Sequence, residues 1–331
     1  MNAPRILSHL VDEALEASVA GSFSRVGYAV RSRLEPWPEP PLQHGRIHLV
    51  TGASSGIGRA VAIRLGGLGA EVWVVGRDEE RTEMSADAVR AAGGRAEAVV
   101  VDVTHPEAVD DLCRRLASTH DKLHGLVHAA GALTAEYRIA ADGIELTLAT
   151  AVVGPFRLTA RLTALLRAGA ANLVTVSSGG MYTEPFDLVR LVCGPDDYEG
   201  VRAYARAKRA QVVLAHEWAR RLGASGMASY SCHPGWVNTP GLASGLPAFA
   251  RLGPLLRTPD EGADTAAWLA AGGARQAADR CPPATDGFFH DRRLRTEHRL
   301  RRTRRASAPH DGARLWAWCA RAADLPHDAT V

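Results

Sequence analysis

Tyr204 and Lys208, in the segment Tyr204-Ala205-Arg206-Ala207-Lys208, stand four residues apart inside a helical pattern, which places both on one face. A free tyrosine loses its proton only near pH ~10 and is a weak acid or base at neutrality. A neighbouring ammonium favours the phenolate and draws the group toward its working range. Upstream, an apolar run ends in Val176-Ser177-Ser178-Gly179, where a serine hydroxyl can hydrogen-bond an oxygen whose charge changes during a reaction. The lysine stands out for a second reason: of 39 lysines and arginines, only Lys122 and Lys208 are lysines. Lys122, in the turn His120-Asp121-Lys122, is accounted for by solvent alone. At position 208 the planar fork of an arginine would not replace a compact ammonium beside a tyrosine. A serine of this run, Tyr204 and Lys208 are therefore the candidate catalytic group, suited to exchange a proton with a carbonyl or hydroxyl oxygen.

A glycine-rich turn supplies a partner for that chemistry. Thr51-Gly52-Ala53-Ser54-Ser55-Gly56-Ile57-Gly58 directly follows an apolar run and opens a helical pattern. Glycines here allow positive φ and close approach of backbone N–H groups to a pyrophosphate, and the helix N-terminus adds partial positive charge. The spacing is G-x3-G-x-G, in the strand–turn–helix context that a dinucleotide site demands. The next apolar run ends in Val75-Gly76-Arg77-Asp78. Gly76 stands where an acidic residue would bind the ribose hydroxyls of NAD, and Arg77 can pair with a 2′-phosphate. NADP(H) is thus the preferred cofactor, with NAD(H) as the alternative. Asp102, ending the third run, is placed to accept from an adenine amino group and to serve the helix start ahead of Pro106.

Stepping outward, short apolar runs at 47–51, 71–75, 96–101, 123–128, 172–177, 228–232 and 287–290 read as buried strands. Helical patterns near 57–68, 79–92, 106–119, 142–167, 201–222 and 260–271 separate them. That alternation predicts an α/β fold, a Rossmann-type doubly wound parallel sheet of about seven strands covered on both faces. Residues 46–291 are the expected dinucleotide-binding catalytic domain. Before it, residues 1–45 form an extension: Ile6, Leu7, Leu10, Val11, Leu15 and Val19 predict an amphipathic helix packed on the core or a partner, and Glu35-Pro36-Trp37-Pro38-Glu39-Pro40-Pro41 reads as a linker. After it, 292–331 is an arginine-rich segment expected to be a solvated tail, with Trp316 and Trp318 placed to pack a final helix back on the body.

The formal net charge of +3, with 46% hydrophobic and 23% charged residues, argues against disorder and against a nucleic-acid partner. Five widely spaced cysteines without a CxxC pair predict neither a disulfide framework nor a zinc site. His128, His216 and His233 lack metal-ligand spacing, so no metal is expected. No apolar run is long enough to span a bilayer, and the acidic N-terminus does not suit a secretory signal. The expected home is the cytosol, with peripheral membrane contact through the extension or the arginine tail as a lesser alternative.

Taken together, TGASSGIG at 51–58, Asp102, HAAG at 128–131, SSGG at 177–180, YARAK at 204–208 and HPGWVNTP at 233–240 resemble the short-chain dehydrogenase/reductases over roughly 46–290. VTVSSGGMY, YARAKRAQVVLAHEWA, GADTAAWLA and GFFHDRRL are similar to the orphan member 12-like branch of that family. The resemblance implies an oxidoreductase acting on a CH–OH group, with Tyr204 as general acid/base, Ser178 orienting the carbonyl or hydroxyl, and Lys208 binding the nicotinamide ribose and lowering the tyrosine pKa. It implies cofactor contacts from Gly52, Ser54, Ser55, Gly56, Ile57 and Gly58, from Arg77, Asp102 and Val103, and from Ala129, Ala130 and Gly131. Pro234, Gly235, Val237 and Thr239 would line the nicotinamide amide. It also implies a homo-oligomer formed through 142–167 and 201–222, which the N-terminal extension could block.

The chain departs from the family in three places. His128-Ala129 replaces two amides, the family's helix-four asparagine falls at Ala151, and Ser178 and Tyr204 stand 26 positions apart, about double the usual spacing. The insertion at about 183–200 is expected to be a loop beside the substrate entrance. Met181, Tyr182 and Trp236, with Leu246, Phe249, Leu252 and Leu255 in the stretch 242–256, predict an apolar pocket and cover for a lipophilic ketone, aldehyde or alcohol, or else core packing. The competing reading is a dinucleotide-binding regulatory or scaffold protein with little or no turnover.

Overall fold

All of the apolar runs expected as strands are strands, and their order explains why they can be so uniformly apolar. The computed structural model describes residues 3–34, 37–276, 285–305 and 308–325, with only the backbone of 3–7 and Arg305. Cys281 and the Glu35-Pro36 part of the linker lie outside the described residues. Strands β1 (Ile47–Thr51), β2 (Glu71–Gly76), β3 (Arg95–Val100), β4 (Gly125–His128), β5 (Asn172–Val176), β6 (Ala228–Cys232), β7 (Asp286–His290) and β8 (Arg293–Leu294) form one sheet in the order β3-β2-β1-β4-β5-β6-β7-β8. The first seven are parallel, and two-residue β8 turns back antiparallel on β7. That last strand was not expected; two residues carry no readable alternation. Strand order reverses between β1 and β4, so a crevice opens beyond their carboxyl ends, where ligands bind in such sheets.

Three helices begin the chain, α1 (Ala3–Ala17), α2 (Val19–Phe23) and α3 (Arg25–Leu34). In the body, α4 (Gly56–Gly67), α5 (Glu79–Ala91) and α6 (Pro106–Thr119) follow the first three strands. The expected helix at 142–167 is broken into α7 (Leu146–Leu148), a π-type turn (Ala149–Val153), α8 (Gly154–Arg161) and α9 (Thr163–Ala168). Then come α10 (Leu188–Leu191), the long α11 (Gly200–Leu222), α12 (Pro240–Gly245), α13 (Pro247–Ala250), α14 (Pro259–Ala270), α15 (Gly273–Gln276), α16 (Arg301–Arg305) and α17 (Asp311–Ala322). One face of the sheet buries Val50, Val61, Leu65, Val74, Ala266 and Leu269 under α4 and α14; the other buries Leu49, Leu126, Phe156 and Trp218 under α8 and α11. Both faces are covered, which is why period-two alternation is missing from the strands.

Two expectations for the chain ends are corrected. The extension is three helices rather than one, and the inward face of α1 is mixed: Ser8 and Asp12 are 4% and 3% exposed beside half-buried Val11 and Leu15, whereas Leu10 is 57% exposed. The Ile6 and Leu7 side chains lie outside the described residues. The cause is charge. Asp12 accepts hydrogen bonds from Arg31 Nε (2.7 Å), Arg293 Nη1 (2.7 Å) and Arg295 Nη2 (2.7 Å), while Glu16 accepts from Arg31 Nη2 (2.9 Å) and pairs with Arg299. The arginine-rich segment is therefore not a solvated tail. Arg292 pairs with Asp264 (2.7 Å) and donates to the Pro38 carbonyl (2.7 Å), so the partners of these arginines come from the extension, the linker and α14. Arg301, Arg302 and Arg304 on α16 stay exposed. Beyond them Trp316 of α17 is fully buried, with ring centroids 4.9 Å from Phe156 and 4.4 Å from Trp218. Of the helices expected to meet a second copy, α8 and α11 thus carry α17 packed against them. No helix among the described residues is long and apolar enough to cross a membrane.

Burial alone would raise the Asp12 pKa, but the bonds and charges of Arg295, Arg31 and Arg293 outweigh it and hold the carboxyl well below its usual range. A depressed folded value means the contribution to stability is full above the unfolded pKa of about 4 and is lost as pH falls through the folded value. Asp12→Asn is expected to cost about 3–5 kcal/mol at neutral pH, because it leaves buried guanidinium groups short of a counter-charge. Urea midpoints measured against pH should show the gap between native protein and variant closing below about pH 4.

Candidate active site

Because β1 to β7 run parallel, the turns after β1 to β6 gather at one edge of the sheet, and the residues expected to touch cofactor lie in them or at the start of α4, apart from Tyr204 and Lys208 on α11. After β1, Gly52 (φ 66°) and Gly56 (φ 53°) take the left-handed conformation that side chains disfavour. A Cβ on Gly52 would lie 2.7 Å from the Ala130 nitrogen, and one on Gly58 would overlap the Gly52 carbonyl. The turn is thus pressed against the His128–Gly131 segment that follows β4. Ser55 starts α4 without a side-chain cap, leaving the first-turn amides open to an anion. At the end of β2, a Cβ added to Gly76 would overlap Thr82 Oγ1 and lie 2.7 Å from Ser54 Cβ. Arg77 beyond it is exposed, while Asp78 caps α5 through Arg81 N (2.9 Å). Asp102 Oδ1 accepts from Thr104 N (2.9 Å) and Oγ1 (2.8 Å), so it shapes the turn into α6. Val103 beside it is buried. Thr239 caps α12 and rests its methyl 3.2 Å from where a Gly56 Cβ would be, which brings the loop after β6 against the turn after β1. The turns are thus packed against one another through Gly52, Gly58 and Gly76, and the uncapped first-turn amides of α4 are the donors a pyrophosphate needs, so the residues present fit a dinucleotide.

The candidate catalytic residues meet at the end of β5. Ser177 Oγ donates to the Lys208 carbonyl (2.8 Å), and Lys208 Nζ donates to the Val176 carbonyl (2.9 Å). This pair of bonds seats α11 on the strand. Lys208 is 4% exposed, with Nζ 5.5 Å from the Tyr204 ring centroid and 3.8 Å from a Cβ position on Gly131. Burial lowers the Lys208 pKa to about 8. Tyr204, partly accessible, behaves differently from expectation: burial pushes its pKa up, and the bonded Ser178 hydroxyl only offsets this in part. The lysine turns its ammonium to a strand carbonyl rather than to the phenol oxygen. In this arrangement the tyrosine holds its proton at neutrality. Ser178 Oγ also accepts from Gly180 N (3.2 Å).

The three departures have physical substitutes or consequences. His128 Nε2 pairs with Thr159 Oγ1 (2.8 Å) within the core, and burial lowers its pKa to about 3. The other two histidines are also engaged: His216 lies between Asp286 and Glu297, and His233 stacks on His290 at 3.8 Å. At Ala151 the helix slackens into the π-type turn. Pro155, four residues on, has no N–H for the Ala151 carbonyl, and Gln211 Nε2 donates to it instead (2.8 Å). Gln211 was not picked out from the sequence, although its place three residues after Lys208 on the same helix is the available signal. The insertion is more ordered than a loop. It carries α10, pairs Glu184 with Arg206 (3.2 Å), and is tied by the Tyr198 hydroxyl to Thr134 Oγ1 (2.7 Å) and Glu145 Oε1 (3.1 Å).

On the substrate side, Met181 and Tyr182 are buried core residues, with Tyr182 Oη donating to the Thr296 carbonyl (2.9 Å), and do not line a pocket. Trp236 is partly buried and packs edge-on against Phe249 at 5.0 Å. The stretch after Thr239 is not one helix. Prolines at 240, 247 and 254 restart it as α12, α13 and a short 3₁₀ turn. Leu246, Phe249 and Leu252 are half-buried and Leu255 is exposed.

Comparison with known proteins agrees with this geometry. The pattern of the short chain dehydrogenase family matches residues 46–245. Dehydrogenase/reductase SDR family member 12 of Bos taurus is 35% identical over 276 residues, covering 82% of this chain and 84% of that relative. Retinol dehydrogenase 14 of Mus musculus is 32% identical over 253 residues, covering 70% of this chain and 75% of that relative. Among solved structures, one from Beutenbergia cavernae assigned as an NAD(P) dependent gluconate 5-dehydrogenase, with bound NADP, superposes with a TM-score of 0.59 at 26% identity, covering 76% of this chain and 97% of that one. With the glycine turn, the sheet reversal and the Ser178–Tyr204–Lys208 cluster in place, the chain belongs to the short chain dehydrogenase family, NAD(P)-dependent oxidoreductases acting on CH–OH groups.

Proposed function

We propose that this oxidoreductase uses NADP(H) to interconvert a lipophilic ketone or aldehyde and its alcohol, with Tyr204 as the general acid/base. The observation that carries the reading is the Tyr204 phenol beside Ser178, kept protonated by burial, at the edge of the sheet where the dinucleotide turns converge. Gly52, Ser54, Ser55, Gly56, Ile57 and Gly58 hold the pyrophosphate against the open amides of α4. Arg77 pairs with the 2′-phosphate, and Asp102 and Val103 flank the adenine. Ala129, Ala130 and Gly131 line the ribose with Lys208, while Pro234, Gly235, Val237 and Thr239 face the nicotinamide. Bound there, NADP(H) supplies or takes the hydride. Ser178 holds the substrate oxygen, and Tyr204 gives that oxygen a proton in reduction or removes it in oxidation. Charged Lys208 at the ribose favours the phenolate once the proton has left. The lipophilic preference rests on Trp236, Leu246, Phe249 and Leu252 around the cover and on the likeness to a relative named for retinol.

One observation favours a second reading, a dinucleotide-binding scaffold with little turnover. Ala151 stands at the family's helix-four asparagine, and its carbonyl is already taken by Gln211. Assaying NADPH oxidation across lipophilic aldehydes and ketones separates the two. Turnover supports the enzyme, and tight NADPH binding without turnover supports the scaffold.

Tyr204→Phe is expected to lower turnover by about 10²–10⁴-fold, the usual worth of a general acid/base, with NADPH binding retained. Lys208→Arg should likewise lose most activity, because the larger fork cannot keep the bond to the Val176 carbonyl in a buried site. Arg77→Ala should narrow the affinity gap between NADPH and NADH by roughly 10-fold or more, from losing one charge-assisted pair. In the reductive direction the rate of the native enzyme should fall above about pH 8, where Lys208 loses its charge. Initial rates and fluorescence titration of the reduced cofactor measure all four.

A further inference from the structure

Phe23, the last residue of α2, lies outside the segment that matches the family, yet it is 3% exposed and packed beneath the candidate active site. Its ring meets His233 at 4.3 Å, His290 at 5.5 Å and Trp236 at 6.2 Å. A Cβ on Gly179, the residue after Ser178, would lie 2.5 Å from the Phe23 ring. The Phe23 carbonyl accepts from Trp236 N (2.8 Å) and from Arg257 Nε (3.1 Å), and an added Cβ on Gly235 would fall 2.6 Å from it. A single residue of the extension therefore touches both the loop that carries Ser178 and the Pro234–Trp236 loop.

Its own place is held by buried charge. Arg257, 1% exposed, donates to the carbonyls of Ser22 (2.9 Å), Ser24 (3.2 Å) and Pro234 (3.3 Å) and pairs with Asp291 at 2.6 Å. Asp291 in turn pairs with Arg31 of α3 at 2.8 Å. Desolvating such a network offsets much of its attraction, so its chief effect is to fix geometry rather than to add stability. Gly235, at φ 81°, is kept free of a side chain by that conformation and by the Phe23 carbonyl together.

We propose that Phe23 is a positioning residue, setting the separation between the Ser178 loop and the Pro234–Trp236 loop and hence the nicotinamide half of the cofactor site. The inference rests on the assignment of Pro234 and Gly235 to the nicotinamide. Removing the ring leaves a cavity into which both loops relax, and a misplacement of about 1 Å at reacting atoms can cost on the order of 100-fold in rate.

The test compares the intact reduced cofactor with its adenosine half, adenosine 2′,5′-bisphosphate, or ADP if the native protein prefers NADH. Phe23→Ala should weaken the intact cofactor about 10-fold while the adenosine half stays within about twofold, and turnover per cofactor-binding site should drop on the order of 100-fold. Phe23→Leu, which keeps most of the volume, should recover most of both and serves as the variant to read if the alanine protein does not fold. Gly179→Ala should impair turnover in the native background, and the impairment should vanish in the Phe23→Ala background, where the ring is gone. Equal losses for both halves of the cofactor, or no loss for either, would overturn the proposal, since a merely structural role acts through the folded fraction alone. If the native protein binds NADPH but reduces nothing, the functional reading fails, and the half-cofactor comparison still decides the role of Phe23.

Discussion

Two hydrogen bonds between the end of β5 and α11 hold the proposed reactive group together. Ser177 Oγ reaches the Lys208 carbonyl, and Lys208 Nζ reaches the Val176 carbonyl. They bind a helix to a strand end at the one place where an error of an ångström would separate Ser178 from Tyr204. Lysine is suited to this in a chain that otherwise uses arginine. Its slender stem crosses a buried space and its ammonium meets a single carbonyl, where a guanidinium would bring several further donors to satisfy. The cost of burying the charge appears as the lowered Lys208 pKa.

Burial also sets the direction in which the tyrosine is prepared. A phenol with its pKa raised and a serine hydroxyl beside it is poised as a donor, which suits a carbonyl oxygen gaining charge. On the proposed assignment of Lys208 to the ribose, its ammonium charge would then matter after the proton has moved, by favouring the phenolate left behind. The same balance between desolvation and pairing governs the chain ends. Asp12 and Asp291 are buried among arginines, and it is those pairs that draw the extension and the arginine-rich segment onto the sheet.

What could be read in the sequence was whatever is local. The turn at 51–58, the Tyr204–Lys208 spacing and the seven apolar runs each encode their structure within a few residues, because glycine φ, helix periodicity and strand burial are short-range properties. The split of the helix at Ala149–Val153 was also encoded locally, by Pro155, but its consequence was not: the carbonyl it frees is met by Gln211, 60 residues on. The buried Asp12 of α1 was hard to read because, beside Arg31 at 19 positions, its partners Arg293 and Arg295 stand 281 and 283 positions away. Phe23 was illegible for the same reason, its neighbours at 179 and 233–236 being defined only once the sheet is closed. Met181 and Tyr182 follow the core-packing alternative, adjacent to the motif in sequence and turned into the core.

The central claim is that the Tyr204 phenol, protonated at neutrality, delivers its proton to a substrate carbonyl in a working oxidoreductase. A single-turnover experiment, mixing enzyme-bound NADPH with a lipophilic aldehyde and following loss of the reduced cofactor in light and heavy water, tests it most directly. The expected result is one equivalent of alcohol per NADPH consumed, with a solvent isotope effect that disappears in Tyr204→Phe along with most of the rate. Consumption of NADPH at the native rate in that variant, or none in the native protein with any carbonyl offered, would contradict it.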